Sequence, residues 1–146
     1  MRIAIATDHA GIDIKPFINN FLEDLGHHVE DFGTNTSESC DYADFAYPAA
    51  ESVANGNNDI GIIFCGSGIG VSIVANKVDG IRAALVCNKE TAKLSREHNN
   101  ANVLCFGTRF LQEEEIKEII SNFINTEFEG GRHQRRIDKI HNRTNK

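Results

Sequence analysis

Apolar residues along this chain come as short continuous runs, separated by longer stretches in which they recur every third or fourth position. The runs are RIAIAT (2–7), HVEDF (28–32), IGIIFC (60–65), AALV (83–86) and VLCF (103–106), and their length and β-branched content predict strands. After the first run, Ile14, Phe17, Ile18, Phe21, Leu22 and Leu25 make one apolar stripe on a helix that Gly26 can end. Comparable stretches predict helices at roughly 46–55, 68–77, 90–98 and 112–124. Strands that are apolar throughout and alternate with helices imply a parallel sheet covered on both faces, with right-handed crossovers. The predicted fold is a three-layer α/β/α sandwich, a doubly wound, Rossmann-like five-stranded parallel sheet in the order 2-1-3-4-5.

That order reverses the chain's direction between strands 1 and 3, and ligands bind in the crevice beyond the carboxyl ends of the strands at such a point. Strand 1 runs out at Thr7, Asp8 and His9, and strand 3 runs out into FCGSGIG, residues 64–70. The pattern therefore brings Asp8, His9, Cys65 and a glycine loop to one cleft.

Glycines at 66, 68 and 70 let backbone approach a ligand and aim several N–H groups at one spot, while the following helix adds its partial positive end. This is an anion hole of no standard kind. A dinucleotide fingerprint needs G-x-G-x-x-G after the first strand, and a phosphate-binding P-loop needs G-x-x-x-x-G-K-[ST]; neither is present. A phosphatase loop sets an arginine shortly after its cysteine, whereas this chain continues Val71-Ser72-Ile73. A thiol at this place is favoured as thiolate and suits a base or nucleophile. A cysteine at a strand end is also a common packing residue; the adjacent loop and the switch point favour a function for Cys65.

Composition narrows the classes. Fifteen basic against 21 acidic residues give a net charge of -6, which argues against nucleic acid or an anionic membrane as partner and leaves small anions open. MRIAIATDHAG reaches Asp8 before an apolar stretch long enough for a leader or a membrane span, so the expected location is the cytoplasm. Cys40, Cys65, Cys87 and Cys105 lie 18 to 25 residues apart without a C-x-x-C pair, which supports neither zinc nor a compact disulfide framework. No linker composition divides residues 1–146, and a single domain is expected.

Two further stretches carry candidate chemistry. His98 and Asn99 end the fourth predicted helix, where they read either as a helix stop complementing the dipole or as a titratable group and its neighbour for moving protons on a sugar oxygen. EGGRHQRRIDKIHNRTNK, residues 129–146, concentrates basic residues. Arg132 and Arg136, four apart, share a helix face and can grip one phosphate, although a solvated basic face is the commoner meaning of such a run. Gly130 and Gly131 suggest a hinge that carries this helix away from its own core toward a neighbouring subunit.

Together these residues resemble the type B ribose-5-phosphate isomerase family, which includes the galactose-6-phosphate isomerase subunits. The likeness runs through ATDHAG (6–11), CDY (40–42), CGSGIGVSIVANK (65–77), GIRAAL (80–85), SREHNNANVL (95–104), FGTR (106–109) and EGGRHQRR (129–136). It implies aldose–ketose isomerisation of ribose 5-phosphate and ribulose 5-phosphate, in the non-oxidative pentose phosphate pathway, with no cofactor and no metal. It implies Cys65 as the base moving a proton between C2 and C1, and the backbone of Gly66, Ser67, Gly68, Ile69 and Gly70 as the support of the enediolate oxygen, with the Ser67 hydroxyl adding to it. His98 opens the sugar ring in this reading, assisted by Asp8, while His9, Arg132 and Arg136 hold the phosphate, and Asn99 and Tyr42 line the sugar site. Arg109 is a further candidate for the phosphate. The resemblance also implies a homodimer with shared sites, with a tetramer open. A branch of the family has a glutamate base after its loop; here Val71 stands at that place and the cysteine is present, which matches the cysteine branch. Ser67 replaces a common threonine, and Ala43 a common proline. Two alternatives stay open: isomerisation of a six-carbon phosphosugar such as allose or galactose 6-phosphate, and a non-catalytic phosphosugar-binding module.

Overall fold

Each apolar run forms a strand and each amphipathic stretch a helix in the computed structural model, which describes residues 1–144. In chain order these are β1 (Arg2–Thr7), α1 (Lys15–Asp24), β2 (His28–Asp31), α2 (Ala43–Ala54), β3 (Ile60–Cys65), α3 (Ile69–Ala75), β4 (Ala83–Leu85), α4 (Lys89–Asn99), β5 (Val103–Gly107), α5 (Glu113–Asn125) and α6 (Arg132–Thr144). Helix α2 begins three residues ahead of expectation, so Pro48 lies inside it instead of in its first turn. All strand pairings are parallel.

The sheet order is β2-β1-β3-β5-β4, which corrects the expected order at its last two places. The physical reason lies in the strands themselves. All five residues of β5 are buried, as a central strand requires, whereas β4 is three residues long with none fully buried and suits an edge.

Alternation along the strands divides the interior in two. Ile3, Ile5, Ile62, Phe64, Leu104 and Phe106 face α1 and α5, where Ile18, Leu22, Ile116, Ile119 and Phe123 meet them. Each such side chain contributes roughly 2 kcal/mol by leaving water. On the other face Ala4, Ala6, Ile63, Cys65 and Cys105 meet Ala46, Ala49 and Ala50 of α2 and Val71 and Ala75 of α3, so small residues let these helices lie close. Cys65 is the last residue of that face.

Register then sets the place where a ligand can sit. Thr7 pairs with Phe64 and Cys65 with Gly107, so the segments following β1, β3 and β5 leave the sheet side by side. Helix α6 folds back on its own chain: His133 and Ile137 are buried, and Arg82 Nη1 lies 3.2 Å from His141 Nε2. The hinge expected to carry α6 away from the core instead returns its inner face to α4.

Candidate active site

Asp8 directly follows β1 and caps the short 3-10 helix His9–Gly11, one carboxylate oxygen accepting the Ala10 N–H at 3.0 Å. That bond fixes a buried carboxylate at the mouth of the sheet and leaves its second oxygen for other work. His9 follows, its Nδ1 accepting the Cys40 N–H at 3.2 Å. An N–H donor at Nδ1 puts the proton of the neutral ring on Nε2, a donor suited to an anion. The same bond draws the segment with Tyr42 over the cleft.

The glycine loop earns its composition by what packs on it. A side chain at Gly66 would strike the Arg109 guanidinium at 2.9 Å, and one at Gly70 would strike the Tyr42 ring at 2.6 Å. Gly68 has φ +76° and lies so near the Phe106 backbone that a Cβ would stand 2.6 Å from its carbonyl carbon. Left-handed backbone and lack of space both demand glycine there. In this conformation the Gly68 N–H donates to Cys65 Sγ at 3.1 Å, and the Ile69 N–H to Ser67 Oγ at 3.3 Å. A sulfur accepting an N–H at the head of a helix is placed to carry negative charge. Cys105, its neighbour in the core, is held as the neutral thiol: burial, and then Cys65 itself, raise it far above its ordinary range.

Asp8, His9, Ala10, Tyr42, Cys65, Gly66, Ser67, Gly70 and Arg109 line one cleft of about 180 Å³. Gly68 and Ile69 belong to the same loop. Arg109 reaches the cleft because β5, and not β4, neighbours β3; its N–H donates to Gly66 O at 3.2 Å, and Thr108 Oγ1 lies 3.3 Å from both Ala10 O and Cys65 O. A larger groove of about 370 Å³ adjoins it at Ser67, lined by Ile69, Leu85, Val86, Gly107, Phe110 and Leu111. This second groove offers no charged group and does not suit a phosphosugar.

His98, Asn99, Arg132 and Arg136 do not line the cleft. They gather on α4 and α6. The α4 helix ends at Asn99, with Asn100 in the left-handed conformation at φ 44°, so the stop is Asn100. Arg82 Nε donates to Asn99 O and Asn100 O at 3.1 and 3.0 Å, and Arg96 donates to Asn100 Oδ1 at 3.3 Å, which pins the turn after His98. The His98 ring stacks on His133, centroids 4.3 Å apart and planes within 4°. Burial, then the charges of His98, Arg132 and Arg136, hold His133 below the ordinary histidine value, with Glu129 opposing. Glu129 and His133 lie within the basic tail, where sequence reasoning singled out only the arginines.

No helix among the described residues is long and apolar enough to cross a membrane.

Comparison with known proteins shows the family. The family model described as Ribose/Galactose Isomerase matches residues 3–140. A protein of Mycoplasma genitalium named probable ribose-5-phosphate isomerase B is 48% identical over 141 residues, covering 95% of this chain and 93% of its own length. The structure of Clostridium thermocellum ribose-5-phosphate isomerase B superposes with a TM-score of 0.97 at 46% identity, over 99% of this chain and 98% of that one. The Mycoplasma genitalium enzyme crystallised with bound ribulose-5-phosphate gives a TM-score of 0.94 at 46% identity, over 99% and 97% of the two chains. A doubly wound sheet with a cysteine and glycine loop at its switch point, matched along nearly its whole length, places the chain in the ribose/galactose isomerase family.

Proposed function

We propose that this chain interconverts ribose 5-phosphate and ribulose 5-phosphate through an enediolate, with Cys65 as the base. The observation that carries this reading is the Cys65 sulfur at the head of the glycine loop, in one cleft with Asp8, His9 and Arg109. The thiolate takes the C2 proton of the open-chain aldose and returns it to C1. Loop N–H groups then bear the charge that develops on the oxygen, the term that gives most in such a reaction. His9 Nε2–H and Arg109 supply donors for the phosphate. The relative solved with ribulose-5-phosphate supports the choice of a five-carbon sugar.

The remaining groups come from a second copy of the chain in this proposal. His98, Arg132 and Arg136 share one surface, remote from the cleft they are expected to serve, and a two-fold dimer that sets this surface against its partner's cleft unites them. Ile69 at 54%, Leu85 at 46% and Phe110 at 75% exposure flank the cleft and supply apolar area for such a contact.

The test is incubation with ribose 5-phosphate in heavy water with EDTA present, following ketose and deuterium at C1 by NMR. Ketose should form at a catalytic rate in the native protein, and Cys65→Ala should lower kcat about 10³-fold with KM little changed. Full turnover by Cys65→Ala would remove the cysteine from its role. Binding of ribose 5-phosphate without conversion would leave a phosphosugar-binding module.

A further inference from the structure

His133 is an aromatic group that the proposed chemistry leaves idle, yet it is built in with care. It is 4% exposed in the first turn of α6. Its ring lies parallel to that of His98, and its Nε2 stands 3.4 Å from Glu129 Oε2. The Glu129 N–H donates to Glu97 O at 3.1 Å, so the carboxylate is tied to the turn of α4 that carries His98. Gly130 and Gly131, at φ 66° and 55°, reverse the chain, and the His133 N–H closes the reversal onto Gly130 O at 3.0 Å. The whole 129–133 segment thus serves to lay one imidazole flat on another. Two imidazoles and a carboxylate with ligand atoms within 4.8 Å also make a donor set for a divalent cation. Parallel rings, however, hold their in-plane lone pairs apart, and Arg132 and Arg136 add positive charge at the same imidazole.

An imidazole that moves protons acts through lone pair and N–H in the plane of its ring, so the tilt of that plane decides where it aims. We propose that His133 is a positioning residue that fixes the plane of the His98 ring for opening the sugar. This rests on the isomerase reading above. In ring opening a proton leaves the anomeric hydroxyl, the bond from C1 to the ring oxygen breaks, and a proton reaches the released oxygen; the imidazole ends as it began. A neighbour that only holds the plane does not touch the sugar, and its loss appears only in steps that need His98.

The two directions of the reaction separate these steps. Ribulose 5-phosphate has its C5 oxygen phosphorylated and closes no five-membered ring, so a reaction started from the ketose reaches the enediolate without ring opening. Both kcat values, for ketose formation and for ketose consumption, are measured at saturating substrate for the native protein, His133→Leu and His133→Phe, with thermal melts of each, because the Haldane relation ties the two kcat/KM values together but leaves the two kcat values free to differ. His133→Leu, of similar volume but without a flat ring, should slow turnover of ribose 5-phosphate by up to about 10²-fold, the cost of a misplaced group. Consumption of ribulose 5-phosphate should stay within about threefold, and His133→Phe, which keeps a ring to stack, should restore most of the loss. Equal losses in both directions, or no loss in either for a folded His133→Leu, would overturn the proposal. If His133→Leu does not fold, His133→Phe decides: a near-native ratio of the two rates supports stacking, and a ratio as skewed as that of His98→Asn refutes it. A native protein that converts neither sugar would defeat the isomerase reading itself.

Discussion

At the residue scale, the cleft is shaped by which atoms the loop omits. Gly56 and Gly68 both hold positive φ, 74° and 76°, but a Cβ at Gly56 meets open space while one at Gly68 meets the Phe106 backbone and Leu85. Gly56→Ala should therefore cost about 1 kcal/mol of strain and no activity. Gly68→Ala should cost at least about 2 kcal/mol and also draw its N–H off Cys65, so that kcat falls with the melting temperature. Chemical denaturation beside steady-state rates compares the pair. Arg109→Met, which removes a charged donor from the cleft, should raise KM for a phosphosugar about tenfold or more, with little change in kcat. Cys65, Asp8, His9 and the glycines were legible in the sequence, because strand ends and glycine spacing reveal where a parallel sheet binds ligands. The weight of Arg109 was not, since it depends on β5 lying beside β3. His133 and Glu129 were hidden in a run whose commonest meaning is a solvated basic face.

At the element scale, the strand and helix pattern was readable because short continuous apolar runs and period 3.6 differ so plainly here, whereas the order of β4 and β5 was not. Both follow helices, and only their unequal length and burial separate edge from centre. Lys15 was equally hidden. Its ammonium is buried at the head of α1 and bonds Thr34 O at 2.6 Å, Asn35 Oδ1 at 2.9 Å and Asp31 Oδ2 at 2.7 Å, clamping the segment after β2. Asp31 is partly exposed, so Lys15→Met should cost about 2 kcal/mol, below the range for a fully buried pair. That corresponds to a fall in melting temperature of roughly 4–8 °C by calorimetry. Helix α6 brings a pH dependence. His133 folds with its proton affinity below the ordinary value of 6.5, so the unfolded chain binds more protons. The stability linked to it is present above pH 6.5 and declines as pH falls below it. Lowering the pH from about 7.5 to about 5.5 should depress the melting temperature of the native protein more than that of His133→Phe. Equal depression would assign the acid sensitivity elsewhere.

At the scale of the whole molecule, the proposed function divides the site between two surfaces of the chain. One carries Cys65, the glycine loop, His9 and Arg109; the other carries His98, Arg132 and Arg136. The sequence named both halves, since each has its own motif, but it does not tell which half meets which, because that depends on packing between chains. If two copies complete each other, dilution below the dimer dissociation constant should abolish turnover while helix content is retained, and sedimentation at the same concentrations should follow the loss. Complementation between two inactive variants tests the central claim most directly. Cys65→Ala and His98→Asn, co-expressed with different tags, each leave a dimer without a complete site, but a mixed dimer regains one native site alongside one doubly deficient site. Random pairing makes half the dimers mixed, so isomerase activity should return to about a quarter of the native value per chain, and purified mixed dimers should reach about half. Activity no greater than the sum of the two parent variants, in a preparation that contains mixed dimers, would contradict a site shared between subunits.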